Sequence, residues 1–312
     1  MGEKLKKLSP VVAGLFATVV TSLLTVSGTQ PAASAVTAPR PPQPATFTLS
    51  SFNVLGSSHT PPGGKRAVGT TRIVWASQLL VQHHVDVVGF QELQTDQAEK
   101  FLSVTSGKWA LFPGLTKVRR DTENSIGWRT DRFDLVQATT VNIPYFNGNP
   151  RAMPVVLLRH KASGALGYFM NYHNPASTNR YPDQGYWRSE ATRVEIALSN
   201  QLMPLAIPRF VTGDMNERAP YFCRVTKQTP LKAARGGYWK DGVCYANKPR
   251  AVDWIFGSRR LTFSNYLEDR SALAAKTTDH PVIVSDVRVT PQEFPQAYVA
   301  TPPAPVVPKV TY

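Results

Sequence analysis

Short apolar runs broken by turn-rich segments make up most of the chain. Phe47 to Phe52 alternates, with Phe47, Leu49 and Ser51 on one face, the period of a half-buried strand. Val85 to Phe90 is a compact run, Val-Asp-Val-Val-Gly-Phe, of the kind a fully buried strand uses. Further strand-like runs are Ser125 to Arg129, Phe133 to Ile143, Pro154 to Arg159, Leu166 to Tyr172, Arg209 to Thr212, Val252 to Phe256 and Pro281 to Val289. Helical spacing occurs twice. Ile73, Ala76 and Leu80 share a face in Thr71 to Gln82, and Trp187, Ala191, Val194, Leu198 and Leu202 share one in Gln184 to Leu202. Gln94 to Ser103 is a weaker third helix. Strand often follows strand, which does not suit a strictly alternating βαβ sheet. The pattern predicts an α/β fold of two sheets packed face to face, with helices outside.

The first forty residues differ. Lys4, Lys6 and Lys7 precede a stretch of apolar and small residues from Val11 to Val26, and Ala33-Ser34-Ala35 offers a small-x-small cleavage site. Basic, apolar, small is the layout of a secretory signal peptide. Residues 1–35 are therefore expected to be cleaved near Ala35 and the mature chain to be secreted. The alternative, a membrane anchor, is disfavoured because the stretch is shorter than the ~20 residues a bilayer span needs. Residues 36–45 are Pro- and Ala-rich and read as a linker. From Pro291 onward six prolines leave little room for helix or central strand, so 291–312 reads as a Pro-rich tail. One folded domain is expected over 46–290.

Composition narrows the function. Of 312 residues 42% are hydrophobic and 18% charged, which excludes a disordered chain. The formal charge is +14; Lys4, Lys6 and Lys7 against Glu3 account for +2, leaving +12 on the mature chain. That excess suits a polyanionic partner: nucleic acid first, anionic lipid or cell-wall polymer second. Solubility alone is the bland alternative. No stable protein partner is implied, and a monomer is expected. Cys223 and Cys244, an even pair in an exported chain, suggest one disulfide. It would close a loop of about twenty residues, worth roughly 3 kcal/mol on loop-entropy grounds.

Polar residues collect at strand ends. Phe47 to Phe52 leads to Asn53, Val87 to Gln91 to Glu92, Leu166 to Tyr172 to His173 and Asn174, and Phe210 to Gly213 to Asp214 and Asn216. Asp253 and Asp279-His280 stand at strand starts. In antiparallel pairs the start of one strand lies beside the end of its neighbour, so these ends and starts would meet on one rim. Carboxylate and amide oxygens there suit Mg²⁺, Mn²⁺ or Ca²⁺. A histidine held by a carboxylate, as His280 would be by Asp253, exchanges protons near neutral pH. Phosphodiester cleavage needs both kinds of group.

The same residues resemble the endonuclease/exonuclease/phosphatase family. Ser51-Phe52-Asn53-Val54 looks like its opening strand motif, and Val85 to Glu92 is close to its D-V-V-x-x-Q-E. Gly213-Asp214-Met215-Asn216 matches G-D-x-N, Val252 to Phe256 resembles I-D-Y-I, and Thr278-Asp279-His280-Pro281-Val282 resembles the terminal S-D-H-x-P-V. The motifs keep the family order from Ser51 to Val282. The resemblance implies a four-layer sandwich of two mixed sheets flanked by helices. It implies metal binding by Asn53, Glu92 and Asp279, with Mg²⁺ foremost. Asp214 and Asn216 would orient the attacking water and the phosphate. His280 with Asp253 would act as general base or phosphate contact, and His173 as general acid. Deoxyribonuclease-I-like members also carry a disulfide between the G-D-x-N motif and the next catalytic Asp, where Cys223 and Cys244 lie. Two departures stand out: Asn174-Pro175 follows His173 in place of the commoner leucine, and Leu55 replaces the Asp of abasic-site endonucleases.

Each residue has a plainer reading: Glu92 as a helix N-terminal carboxylate, Asp214 and Asn216 as turn formers, Asp253 as a buried structural hydrogen-bonder. His59, His83, His84 and His160 lack motif context and read as surface or loop residues. Arg151, Arg188 and Arg193 read as a solvated face. Tyr181, Tyr186 and Trp239 are candidates for base stacking, and Trp187 for the core. The leading expectation is a secreted metal-dependent nuclease acting on DNA, with RNA as a further substrate. A sphingomyelinase-like or inositol-phosphate phosphodiesterase comes second, because no long apolar hairpin suited to membrane insertion is evident. A non-catalytic binder of anionic polymers comes third.

Overall fold

The structure is a computed structural model. It describes residue 14, residues 41–299 apart from 117 and 118, and residues 301–306, 308 and 309. The expected export segment, Gly14 aside, and residues 36–40 of the linker lie outside the described residues.

Two six-stranded mixed sheets face each other. The first holds β1 (Ala45–Asn53), β2 (Val87–Gln91), β3 (Trp109–Phe112), β4 (Ile126–Arg129), β13 (Thr262–Asp269) and β14 (Val282–Val289), in the order β13-β14-β1-β2-β4-β3. The second holds β5 (Phe133–Pro144), β6 (Pro150–His160), β7 (Leu166–His173), β8 (Arg209–Asp214), β9 (Leu231–Ala233) and β12 (Asp253–Ser258), in the order β5-β6-β7-β8-β12-β9. A separate hairpin pairs β10 (Gly237–Lys240) with β11 (Val243–Ala246). The helices are α1 (Gly69–Gln82), α2 (Thr95–Thr105), α3 (Arg119–Thr122), α4 (Gly185–Leu202), α5 (Ala219–Gln228) and α6 (Ala272–Thr277).

The alternation of β1 explains the layering. Phe47 and Leu49 point between the sheets and meet Val156, Leu158, Phe169 and Phe210 of the second sheet. Phe52, on the opposite face, packs with Ile73, Ala76, Leu79 and Leu80 of α1 and Ala98 and Phe101 of α2. Ala191, Val194, Leu198 and Leu202 of α4 cover the outer face of the second sheet, with Tyr221, Phe222 and Val225 of α5. Each large apolar side chain so buried contributes about 1.5–3 kcal/mol. The result is helix, sheet, sheet, helix, the four-layer arrangement expected.

Several elements exceed what the pattern predicted. β13 reads as polar because it is an edge strand with one wet face and a bulge between Ser264 and Leu267. The β10–β11 hairpin turns at Asp241-Gly242, both left-handed with φ 50° and 77°, as a two-residue hairpin turn requires. It carries exposed Tyr238, Trp239, Val243 and Tyr245, so an exposed aromatic hairpin is present, although a short one. Cys223 on α5 and Cys244 on β11 form the disulfide. Residues after Pro291, read as the start of a tail, contribute Phe294 and Ala297 to the core between the sheets. Pro305, Val306 and Pro308 lie against Val155, Leu157, Tyr168 and Leu202, and Gln137 Nε2 donates to Pro303 O at 2.6 Å. His160 is not a surface residue. β6 extends to it, and its ring is buried beside Phe47 and Phe133, which pushes its pKa down to about 4.

The sheets approach closely at Gly89 on β2. A Cβ there would lie 1.9 Å from Thr212 Oγ1 and 2.4 Å from Asn171 Oδ1. Gly89→Ala is therefore expected to destabilise the fold by about 1–3 kcal/mol through overpacking, seen as a lower urea midpoint. An unchanged midpoint would contradict the close approach.

Candidate active site

Strand direction sets the site. β1 and β2 run parallel with Asn53 opposite Gln91, so Asn53 and Glu92 leave the first sheet at the same end. β14 is antiparallel to β1, which brings Asp279-His280 to that end. In the second sheet β7 and β8 run parallel with His173 opposite Asp214, and antiparallel β12 sets Asp253 opposite Asp214. Glu92, His173, Asp214, Asn216 and His280 line one cleft of about 960 Å³. Asn53 and Asp253 are buried immediately behind it.

Asp214 Oδ2 is the hub. It lies 3.3 Å from Asn53 Nδ2, 3.6 Å from His173 Nε2 and 3.7 Å from His280 Nε2. Its Oδ1 accepts from the Asn216 N–H at 2.8 Å. His280 Nδ1 stands 2.9 and 3.1 Å from the two oxygens of Asp253. Glu92 takes a left-handed backbone, φ 59°, as does Asn216 at 46°. Such conformations cost roughly 1–3 kcal/mol for a non-glycine residue. Here Glu92 is turned back over the rim, where Asn53 Nδ2 donates to Oε1 at 2.9 Å and the Gly56 N–H to Oε2 at 3.0 Å. Glu92 is not a helix cap: Gln94 caps α2.

Charge is strongly organised. Burial alone would lower the His280 pKa, but the Asp253 hydrogen bond and the charges of Asp253, Asp214 and Asp279 push it up to about 10. His280 is thus a cation at neutral pH. Burial lowers His173 despite Asp214 and Glu92. Burial and the Asp253 charge raise Asp214, against the two imidazoles. Burial would raise Glu92, but His173, Asn53, Gly56 and His59 together bring it down.

Asp279 does not join this cluster. It is exposed and lines an adjoining groove with Lys65 and Arg66. His59 lines both grooves, 3.5 Å from Glu92. Arg151 lines the cleft, paired with Glu123 at 2.8 Å. Arg188 braces the cleft loop by donating to Pro175 O and Ser177 Oγ, while Arg193 pairs with Glu190. Tyr181 lines the cleft, whereas Tyr186 is exposed outside it and Trp239 belongs to the hairpin. His83 pairs with Asp269 at 2.7 Å.

Three supporting residues carry no motif signal. Asn171 Oδ1 accepts from Gln91 Nε2 and Thr212 Oγ1, and its Nδ2 donates to the carbonyls of Phe90 and Asn124. Arg72, fully buried, gathers carbonyls of Val54, Leu55 and Thr277. Glu195 on α4 lies buried behind Asn174 and accepts from the Tyr221 hydroxyl at 2.7 Å. An apolar strand or helix position occupied by a polar residue is the only trace of these in the sequence.

The endonuclease/exonuclease/phosphatase family model matches residues 50–280. The chain belongs to that family. Three solved structures share the fold. A family member from Bacteroides thetaiotaomicron is 18% identical with a TM-score of 0.62, covering 80% of this chain and 99% of its own. The human Nocturnin catalytic domain with bound sulfate is 19% identical at 0.60, covering 79% and 97%. D. rerio TDP2 complexed with single strand DNA product is 16% identical at 0.57, covering 78% and 99%. No curated protein matches the sequence.

Endonuclease/exonuclease/phosphatase family members are phosphoric ester hydrolases and generally depend on a divalent metal. The residues here fit such an ion, since carboxylate oxygens meet imidazole nitrogens on one rim; Asn53, expected as a ligand, instead presents Nδ2 to Glu92 and Asp214 while its Oδ1 accepts from the Leu55 N–H. Among the described residues one cluster offers a ligand set, and Glu92 stands apart from it as a single carboxylate on the cleft. Asp214, Asp253 and His280 bring ligand atoms within 4.8 Å of one another, but His280 Nδ1 is already engaged by Asp253. Glu92 keeps its carboxylate open to the cleft.

Glu195 yields a pH test. Burial raises its pKa from the ordinary 4.5 to about 7, against the lowering effect of Tyr221, Asn174 and Arg224. The folded state then binds more protons than the unfolded state between those values. The associated stability is present below about pH 4.5 and lost as pH rises towards 7. Glu195→Gln is expected to flatten the fall in Tm across that window. An unchanged slope would contradict a protonated Glu195.

Proposed function

We propose that the protein is a secreted, divalent-metal-dependent phosphodiesterase that hydrolyses nucleic acid, DNA first and RNA second. One observation carries the reading: the acid–base floor of the cleft runs into a wall of arginines and aromatic rings. Arg120, Arg151 and Arg180 line it with Tyr145, Phe146 and Tyr181. Phe146 and Tyr181 stack with centroids 4.3 Å apart, and Arg180 lies over Tyr181. Guanidinium groups suit phosphates and flat rings suit bases, so the wall fits a nucleotide strand better than a small phosphate ester. The DNA product bound by D. rerio TDP2 supports the same substrate class on this fold. Export is supported by the layout of residues 1–35 and by the Cys223–Cys244 bridge, since disulfides persist in oxidising compartments.

Glu92, with Asn53 behind it, would hold the ion, Mg²⁺ or Mn²⁺. When bound, the ion supplies positive charge against the phosphoryl oxygens. Asp214, raised in pKa and fixed through Oδ1 by Asn216, accepts the proton of the attacking water. His280, kept cationic by Asp253, presents Nε2 to a phosphoryl oxygen whose charge grows in the transition state. His173 presents a ring N–H as a hydrogen bond to the leaving-side oxygen, which takes its proton from solvent water.

A second reading rests on the β10–β11 hairpin. Its exposed Tyr238, Trp239 and Tyr245 beside Lys240 suit a bilayer interface, favouring a lipid phosphodiesterase with the same chemistry.

Digestion of plasmid DNA, RNA and sphingomyelin side by side, with and without EDTA, separates the readings. Cleavage of nucleic acid that EDTA abolishes is expected; cleavage of lipid alone would select the second reading. Asp214→Ala and His280→Ala are each expected to lower the rate by about 10²–10⁴-fold with the unfolding midpoint retained. Full activity in either variant would remove that residue from the chemistry.

A further inference from the structure

We propose that His59 is a nitrogen ligand of the divalent ion held at Glu92 and biases that site toward Mn²⁺ over Mg²⁺. The proposal rests on the reading of Glu92 as the metal-holding residue.

His59 Nε2 stands 3.5 Å from Glu92 Oε2. Two donors each about 2.1 Å from one ion lie roughly 3 to 3.5 Å apart at right-angled to tetrahedral positions. The imidazole is 60% exposed toward the cleft, so an ion can reach it without displacing a protein partner. Asp279, the carboxylate expected beside Glu92, lines the neighbouring groove instead. His59 borders both grooves and occupies the boundary between them.

The loop that carries His59 is tightly built. Arg72 donates to the carbonyls of Val54 and Leu55 at 2.6 Å, to Thr277 O at 3.0 Å and to Thr60 Oγ1 at 2.8 Å. From the α2 side, the Ser57 N–H donates to Gln97 Oε1 at 3.2 Å and the Ser58 N–H to Gln94 Oε1 at 2.9 Å. Burying a guanidinium on neutral carbonyl and hydroxyl oxygens is costly, and its effect is to hold one helical turn, Ser57–His59, beside the Glu92 carboxylate. Glu92 Oε1 accepts from Asn53 and Oε2 from the Gly56 N–H, which orients the carboxylate; each oxygen keeps a further lone pair, and Oε2 is the one that neighbours His59 Nε2. Mg²⁺ prefers oxygen and keeps its waters, whereas Mn²⁺ and later metals accept imidazole more readily.

Calorimetric titration of the full chain with Mn²⁺ and with Mg²⁺ tests this in wild type, His59→Ala and Glu92→Ala, after matching their unfolding midpoints. His59→Ala is expected to weaken Mn²⁺ by about tenfold or more and Mg²⁺ by less than about threefold. Pulsed electron paramagnetic resonance of the Mn²⁺-loaded protein should show a nitrogen coupling that His59→Ala removes. Unchanged Mn²⁺ affinity, or equal losses for both ions, overturns the assignment. If Glu92→Ala alone abolishes binding, the Glu92 site stands and His59 does not belong to it. If Glu92→Ala binds both ions normally, the underlying metal reading fails as well.

Discussion

The site depends on one buried amide. Asn171 lies where the two sheets come closest, in the space left by the missing side chain of Gly89. It makes four hydrogen bonds that join β2, β7, β8 and the segment before β4. A buried polar group with every partner in place specifies a single arrangement, because slippage by one residue would orphan several groups at once. Glu92 is one residue beyond Gln91, His173 two beyond Asn171, and Asp214 two beyond Thr212. The node that locks the sheets therefore also sets how the two halves of the cleft face each other.

Carboxylates outnumber the cation at the rim. Asp214 sits between two imidazoles, His280 raised in pKa by its carboxylate neighbours and His173 lowered by burial, and Asp253 and the amide of Asn53 close the set. Burial strengthens each of these interactions because little water screens them. Opposed environments drive the pKa values of His280 and His173 apart, the pattern by which one site acquires distinct proton-handling roles. The arginine and aromatic wall adjoins the floor, where the Tyr145 ring meets His173 edge-on at 5.9 Å.

The sequence was most legible where strand period and motif coincided. Asn53, Glu92, His173, Asp214, Asp253 and His280 all stand at the end or start of a predicted strand, and antiparallel pairing suffices to bring them to one rim. Asp279 shares a motif with His280, but adjacent residues at a strand start point in different directions, and only one faces the cleft. His59 has no motif, and its place beside Glu92 follows from Arg72, whose hydrogen bonds to Leu55 and Thr60 are invisible without the fold. Asn171 sits between Met170 and Tyr172 as one polar residue in an apolar run, a signal that burial demands a partner without saying which. The β10–β11 hairpin had a legible turn at Asp241-Gly242, yet β10 is exposed along its whole length, and in β11 the half-buried Cys244 and Ala246 alternate with exposed Val243 and Tyr245, an all-apolar run that hides the alternation.

Crystals grown with Mn²⁺ would test the central claim most directly through the anomalous signal of the ion. The account requires a peak within about 2–2.5 Å of the Glu92 carboxylate. A peak confined to the Asp214, Asp253 and His280 cluster, or none in the cleft, would contradict it.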